Sequence, residues 1–233
     1  MCKKIWMVTK LNLKNIMAAY VITAIALVGQ STTYILNVFM YPQWDMSHNV
    51  SVSLSWSLWL LPVLAACIIP VRNFRRIINL GGKRDNFFWG SLETYAILAM
   101  GASLGVTILH YALDIPYVGL GKYGSMWTPA NVFGWANHGI LAEIYQQFAF
   151  LLLFACFVHT LAATQDKWYG WVADVLLVAI ISVFPAVAAL RPALTGFFGL
   201  ILFERPLVQI PACMVLALAI YALNWPVFSR KAL

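Results

Sequence analysis

Acidic and amide side chains within long apolar runs are the residues of this sequence best suited to chemistry. Glu143, Gln146 and Gln147 lie together in one run, whereas Glu93 and Asp174 each lie in another. A charged group inside a membrane is costly, so these positions are candidates for a transport pathway or for pairing between helices. Because Glu143 and Gln147 would share one helical face, they could line an outer vestibule or hydrogen-bond to a neighbouring helix. Both interpretations stay open for this patch.

Glu93 and Asp174 are predicted near the inner ends of their helices, where water or a lysine can reach a carboxylate. We therefore expect structural pairing for both, rather than substrate contact. An ion- or proton-coupled secondary transporter that uses Glu93, Asp174 and Glu143 is one alternative for the function of this chain. The sequence shows no inverted repeat with Gly- or Pro-broken helices in matching halves, which is the usual sign of such carriers.

Histidine, cysteine and glycine patterns do not indicate a cofactor site. The four cysteines form no CxxC pair, and the four histidines form no HxxxH or HExxH spacing. His110 and His159 are predicted at opposite ends of the protein, so they cannot ligate one haem. The chain has no phosphate-binding loop, and Gly90 and Ser91 lack the surroundings of a hydrolase nucleophile. We therefore expect no metal, no cofactor bound by this chain and no catalytic activity of its own.

The elements that must position these residues are membrane helices. Of the 233 residues, 62% are hydrophobic and 10% charged, with a mean hydropathy of +0.80, whereas about one-quarter of a soluble domain is charged. A membrane helix needs about 20 apolar residues. Six such runs predict six transmembrane helices in an all-α fold, at 15–39, 52–71, 88–112, 139–163, 168–190 and 207–228. They form a single transmembrane domain over residues 1–233 and leave no room for a soluble catalytic domain.

Basic residues predict which ends of the helices face the cytoplasm. Of the 15 Lys and Arg residues, all but Lys122, Arg191 and Arg205 fall on one side of the predicted membrane. By the positive-inside rule, both termini are cytoplasmic. The net charge of +7 then reflects topology and attraction to anionic membrane lipid, and it requires no nucleic-acid partner.

The first fourteen residues mix lysines with large apolar side chains. MCKKIWMVTKLNLK carries four lysines among Ile5, Trp6 and Leu11. Such a mixture is typical of a helix lying in the headgroup region, so residues 1–14 are predicted to form an interfacial helix. The alternative is a frayed start to the first transmembrane helix. No small-residue cleavage site follows, so we expect the segment to be retained.

The most charged stretch of the sequence lies between the second and third predicted helices. One face of this stretch is apolar and the opposite face is basic, as expected for an amphipathic helix. The apolar face comprises Val71, Phe74, Ile77 and Ile78, and the opposite face Arg72, Arg75, Arg76 and Asn79. The apolar face would rest on the membrane or dock a cytoplasmic partner. Under the docking hypothesis, charged residues at Phe74 and Ile77 would release that partner without disturbing membrane insertion.

Two glycines follow this amphipathic stretch. Gly81 and Gly82 permit backbone angles that other residues avoid, so they are predicted to end the helix. Asp85 or Asn86 is then predicted to cap the start of the third transmembrane helix. The whole loop is therefore interpreted as an amphipathic helix, a hinge and a re-entry into the membrane.

This loop also resembles that of a known protein family. NFRRIINLGGKRDNFFWG, from Asn73 to Gly90, is similar to the loop in transmembrane subunits of type-2 ABC exporters of Gram-positive bacteria. Those subunits have an interfacial N-terminal helix, six membrane helices and a coupling helix that docks on a separate ATPase. The topology resemblance covers the whole chain, whereas the sequence match is confined to this loop. By resemblance, residues 72–88 form the coupling segment, with the contacts Arg72, Asn73, Phe74, Arg75, Arg76, Ile77, Ile78, Asn79, Leu80, Gly81, Gly82, Lys83, Arg84 and Asp85.

The resemblance also implies partners and a location. Two copies of a cytoplasmic ATPase subunit would bind ATP and Mg²⁺, and a second permease chain, identical or a paralogue, would complete the pathway. The complex would lie in the bacterial plasma membrane. The implied substrate is an amphipathic peptide or another hydrophobic compound, in particular a toxin or antimicrobial peptide of the phenol-soluble-modulin type. ATP-driven export is therefore the leading functional hypothesis from the sequence.

A second feature of the same family is a pair of short re-entrant helices before the last membrane helix, on the outer side. RPALTGFFGLILFERP, residues 191–206, fits this feature because it is apolar and too short to span a membrane. Arg191 and Glu204 are expected to pair across its mouth at the interface. The alternative is that the stretch extends the fifth or sixth helix.

Overall fold

Helices account for nearly all of the chain that the structure describes, residues 2–40, 50–119 and 125–230, in a computed structural model. The α-helices are α1 Cys2–Asn15, α2 Met17–Met40, α3 Trp56–Ile68, α4 Phe74–Asn79, α5 Arg84–Leu109, α6 Ile115–Gly119, α7 Pro129–Val132, α8 Ile140–Thr164, α9 Trp168–Ala186, α10 Arg191–Phe198, α11 Pro206–Ala222 and α12 Asn224–Arg230. Segments Ile69–Asn73, His110–Asp114 and Gly199–Phe203 are π-helical, and Trp135–His138 is a 3₁₀ helix. The predicted outer position of Lys122 falls outside the described residues.

Five of these helical stretches are long and apolar enough to cross a membrane, and a sixth span results if one bent pair is counted. The five are Trp56–Asn79, Arg84–Val118, Ile140–Thr164, Trp168–Ala186 and Pro206–Val227, and the bent pair is Lys3–Asn15 with Met17–Thr33. This confirms the prediction of a helical fold of the kind found in multi-pass membrane proteins. A parallel ribbon of two short strands, β1 Val50–Val52 and β2 Ser125–Trp127, was not expected from the sequence.

We number the bent pair as the first span, so that Trp56–Asn79 is the second and Arg84–Val118 the third. The second and third spans extend further toward each other than hydropathy predicts. The apolar runs end at residue 71 and resume at residue 88, whereas the helices continue to Asn79 and begin again at Arg84. The helix continues past the first arginine because Phe74 and Ile77 are buried, at 1% and 3% exposure. The predicted amphipathic helix is therefore the end of the second span rather than a separate element.

The turn between these two spans has the hydrogen bonding of a glycine-terminated helix. Gly81 has a φ of +79°, and its N–H donates to Ile78 O at 2.9 Å. The N–H of Gly82 donates to Ile77 O, also at 2.9 Å. A Cβ at Gly82 would lie 2.6 Å from Ile77 Cγ2, so this position has no room for a side chain. The predicted helix stop at the two glycines is confirmed.

The N-terminal segment forms a helix of its own. α1 bends by 48° from the helix that follows it and packs along the start of α5. The approach is close, since a Cβ at Gly90 would lie 2.8 Å from Val8 Cβ. Ile16, at the bend, is fully buried. Residues 2–15 are thus a separate helix docked on the protein, not a simple extension of α2.

The core is built around α8, which packs against α3, α5 and α11. Small buried residues such as Ala149, Ala155 and Cys156 allow these helices to approach closely. By contrast, Gly170 is the only buried residue of α9, which packs mainly on α8 and α10. We name the end of the protein that holds α1 and residues 72–85 the α1 end. The opposite end, which holds β1 and β2, is named the ribbon end.

Candidate functional site

Buried hydrogen bonds attach α1 to the start of α5 at the α1 end. Thr9 Oγ1 donates to Glu93 Oε2 at 2.8 Å and lies 3.2 Å from Gly90 O. One turn further along, Asn73 Nδ2 donates to Asn12 Oδ1 at 3.1 Å. Glu93 therefore has a local partner on α1, and it also lines a cavity of about 320 Å³. A buried polar seam of this kind holds one relative position of the two helices.

The apolar face of the basic stretch turns into the protein, not away from it. Phe74 and Ile77 are buried, and the Phe74 ring packs edge-on against Phe87 with 5.2 Å between ring centroids. Asn73 is fully buried between them and α1. The expectation that Phe74 and Ile77 present a docking face is therefore corrected, because both side chains already belong to the core.

The basic residues of this stretch remain on the surface. We name the exposed set the basic rim, which comprises Arg72, Arg75, Arg76, Leu80 and Lys83. Leu80 is 72% exposed and is the large apolar member of the rim. Arg75 lies 3.8 Å from Asp166, an exposed pair that contributes little stability. Arg76 Nη1 donates to Asn15 Oδ1 at 2.9 Å, which links the rim to the end of α1.

The other residues of the predicted coupling segment lie in the turn and at the start of α5. Exposed among them are Asn79, Gly81 and Asp85, and half-buried are Ile78, Gly82 and Arg84. The predicted capping by Asp85 or Asn86 is wrong, because α5 begins directly after Lys83 and no side chain caps it. Asp85 instead places a negative charge in the first turn, where it interacts favourably with the helix dipole.

The three acids of the alternative carrier hypothesis do not meet. Asp174 accepts a hydrogen bond from Gln165 Nε2 at 2.6 Å, next to the junction of α8 and α9. Glu93 faces α1, and Glu143 lies in the first turn of α8 at the ribbon end. Each acid thus has its own neighbours, and the structure does not connect them into one path.

Glu143 is fully buried among hydrogen-bond donors from two helices. Gln147 Nε2 donates to its Oε1 at 3.1 Å, and Thr107 Oγ1 donates to the same oxygen at 3.3 Å. Tyr111 OH lies 3.4 Å from Oε2. These contacts join α8 to the end of α5. The structure therefore places Glu143 and Gln147 in helix packing and not on an open vestibule.

Gln146 is also fully buried, but it faces a different set of partners. Its Nε2 donates to Gln209 Oε1 at 2.5 Å and to Glu204 O at 3.3 Å. Gln209 Nε2 in turn donates to Ile201 O at 2.9 Å, and His138 Nδ1 lies 3.2 Å from Gln146 Oε1. Gln146 thus ties α8 to the segment that leads into α11.

We expect Glu143→Leu to destabilise the protein by about 3 kcal/mol, because it removes the acceptor of two buried donors, Thr107 and Gln147, and of the partly exposed Tyr111 hydroxyl. Glu143→Gln retains an acceptor oxygen and nearly the same shape, so its effect is expected to be less than half as large. The free energy of unfolding in mixed detergent micelles, measured by SDS titration, compares the two variants. Equal losses for both would show that the carboxylate charge, rather than the hydrogen bonds, is what matters.

A cavity of about 460 Å³ lies at the ribbon end beside the π-helical segment His110–Asp114. His110 and Asp114 line it and are themselves 4% and 2% exposed. Sequence reasoning does not single out Asp114, although its four-residue spacing from His110 places both on one helical face. Ser53, from the segment after β1, donates to Asp114 Oδ2 at 2.6 Å. Only the fold brings this serine to Asp114.

Most of residues 191–206 form a separate short helical segment. Its apolar helical part, Arg191–Phe203, is too short to count as a span, in agreement with the length argument. The predicted pairing of Arg191 with Glu204 is wrong. Arg191 Nε donates to Pro185 O at 3.1 Å, whereas Glu204 offers its backbone oxygen to Gln146. Both side chains are exposed, so their pairing would gain little.

Comparison of the chain with known protein families, with curated proteins and with solved structures found no match.

Proposed function

We propose that this chain is the membrane-spanning subunit of an ATP-driven exporter that works with a separate ATPase. The observation that carries the proposal is the basic rim at the α1 end. It is exposed, yet it is continuous with the second and third spans, which are joined by residues 80–83 alone. A partner bound to the rim would therefore act directly on two spans.

The packing beneath the rim supports its use as a lever. Phe74 and Ile77 are buried in the core, and Asn73 is hydrogen-bonded to α1. A closely packed interior transmits a displacement of one helix to the helices packed against it. In the proposed mechanism, ATP closes the ATPase dimer, the rim moves with it, and the inner ends of the second and third spans shift. This shift alters access to a cavity between two permease chains.

The proposal includes a second permease chain, either a copy of this one or a paralogue, and two copies of the ATPase. Weak burial of α9 is consistent with it, since Val175 and Leu176 are exposed and available to another membrane chain. ATP and Mg²⁺ would be bound by the ATPase. The proposed substrate is an amphipathic peptide, such as a toxin or antimicrobial peptide of the phenol-soluble-modulin type, or another hydrophobic compound. The proposed location is the bacterial plasma membrane.

The test is gentle detergent purification of the tagged chain after expression together with its operon neighbours, followed by intact mass measurement of all co-eluting proteins. We expect an ATPase subunit with a phosphate-binding loop to co-elute, and ATP hydrolysis to accompany it. A matched purification of a variant with Lys83→Glu and Leu80→Asp checks that retention depends on the rim. Recovery of the chain without an ATPase under every detergent and nucleotide condition would contradict the proposal and favour an ion-coupled carrier.

A further inference from the structure

The cavity at the ribbon end has a polar floor and an apolar mouth. His110 and Asp114 form the floor, and both are more than nine-tenths buried. Ile115, Val118 and Val132 line the mouth of the cavity. A volume of about 460 Å³ lies within the range of about 300–1,000 Å³ that is typical of small-molecule sites. The combination suits a ligand with one polar group and an apolar body.

The hydrogen bonds of the floor are directed toward a carboxylate. Ser53 donates its hydroxyl proton to Asp114 Oδ2 at 2.6 Å, so the Ser55 hydroxyl, 2.6 Å from Ser53 Oγ, must be the donor in that pair. Ser53 and Ser55 are fully buried. Two hydroxyls in sequence thus stabilise negative charge on Asp114.

His110 and Asp114 line the cavity together, but His110 Nδ1 does not hydrogen-bond to the carboxylate. His110 Nδ1 is buried without a hydrogen-bond partner and lies 3.7 Å from Asp114 Oδ2. No lysine or arginine occurs among the described residues that line the cavity. A buried carboxylate in this setting gains an ion pair and a charge-assisted hydrogen bond when a cationic donor enters the cavity.

We propose that this cavity binds the ammonium group of an organic cation, with Asp114 as its counter-ion and the apolar body of the ligand against Ile115, Val118 and Val132. An inorganic cation fits the site less well, because most of the walls offer no oxygen ligands. The exposed ring of Trp127 lines the same cavity and provides an additional cation–π contact. The proposal does not depend on ATP-driven export, because binding is measured on the isolated chain.

The test is equilibrium binding of radiolabelled phenethylammonium to the full chain in lipid nanodiscs, with empty nanodiscs as the background. We expect saturable binding that unlabelled phenethylammonium displaces. The neutral analogue 2-phenylethanol has nearly the same shape, and we expect it to compete at least roughly tenfold more weakly. A short acetylated peptide, Leu-Lys-Leu amide, is the second competitor and distinguishes a free amine from a lysine side chain as the source of the ammonium group.

Three variants locate the binding. Asp114→Asn retains the acceptor for Ser53 but removes the charge, so affinity is expected to fall roughly tenfold or more. Val132→Trp fills the mouth of the cavity at an exposed position and is expected to abolish binding while leaving the floor intact. Asp85→Asn removes an exposed acid at the other end of the same span and is the matched control. Thermal unfolding of each variant in detergent confirms that it is folded.

Unchanged affinity in both Asp114→Asn and Val132→Trp, with folding retained, would overturn the proposal. Equal competition by 2-phenylethanol would likewise overturn it, since binding would then not depend on the ammonium charge. Displacement by sodium or potassium at concentrations equal to the amine would overturn the assignment to an organic cation. Loss of binding in the Asp114 and Val132 variants alone would support it, whether or not an ATPase co-purifies with the chain.

Discussion

Replacing both Arg72 and Arg75 with glutamate is expected to release the proposed ATPase partner and to lower the proposed ATP-driven export by roughly tenfold or more. Both guanidinium groups are exposed on the basic rim, so their charge is available to an acidic partner surface. Removing them is expected to change the stability of the fold little, because the ion pair that Arg75 forms with Asp166 is long and solvent-exposed. The expected loss is therefore one of partner binding and not of stability.

The measurement is the amount of ATPase retained per permease chain after affinity purification, together with ATP-dependent export in vesicles. Arg191→Glu combined with Arg205→Glu makes the same charge change at exposed positions of the ribbon end and is the control. Since reversed charges can also alter orientation in the membrane, accessibility of a cysteine introduced at Leu80 reports the topology. Equal retention by both double variants, with topology preserved, would contradict docking at the rim.

Phe74→Ala is expected to destabilise the protein by about 3–5 kcal/mol, because it empties a well-packed position in the core. Phe74 is 1% exposed and contacts the ring of Phe87 on α5. Val71→Ala changes a residue on the same helical stretch that is 47% exposed, so its expected effect is below about 1 kcal/mol. Unfolding of both variants by SDS titration in mixed micelles provides the comparison.

The same pair of variants separates core packing from docking. If Phe74→Ala unfolds more readily while Val71→Ala does not, then loss of the ATPase in Phe74→Ala follows from instability. If Phe74→Ala keeps the stability of the parent chain but loses the ATPase, the ring contacts the partner and its assignment to the core is wrong. The ratio of retained ATPase to folded permease, measured on the same preparations, is the deciding quantity.

The sequence alone determines the helical, membrane-type character of this protein and the position at which one of its helices ends. Runs of about 20 apolar residues leave few alternatives to spanning helices, because a backbone in lipid must satisfy its own hydrogen bonds. The stop at Gly81 and Gly82 is similarly local, since a positive φ and the lack of a Cβ are properties of the residue itself. Both predictions hold because they depend on neighbours a few positions away.

The tertiary structure alone decides which polar and apolar side chains are available. An amphipathic period identifies the face formed by Phe74 and Ile77 but not what covers it, and here α5 packs against that face. Glu93 gains its partner from Thr9, 84 positions away, and Asp114 from Ser53, 61 positions away. A single sequence does not encode such pairings as a visible pattern, because they depend on how helices distant along the chain pack together. Packing therefore buries the predicted docking face, divides the candidate acids among separate surroundings, and forms the cavity around Asp114.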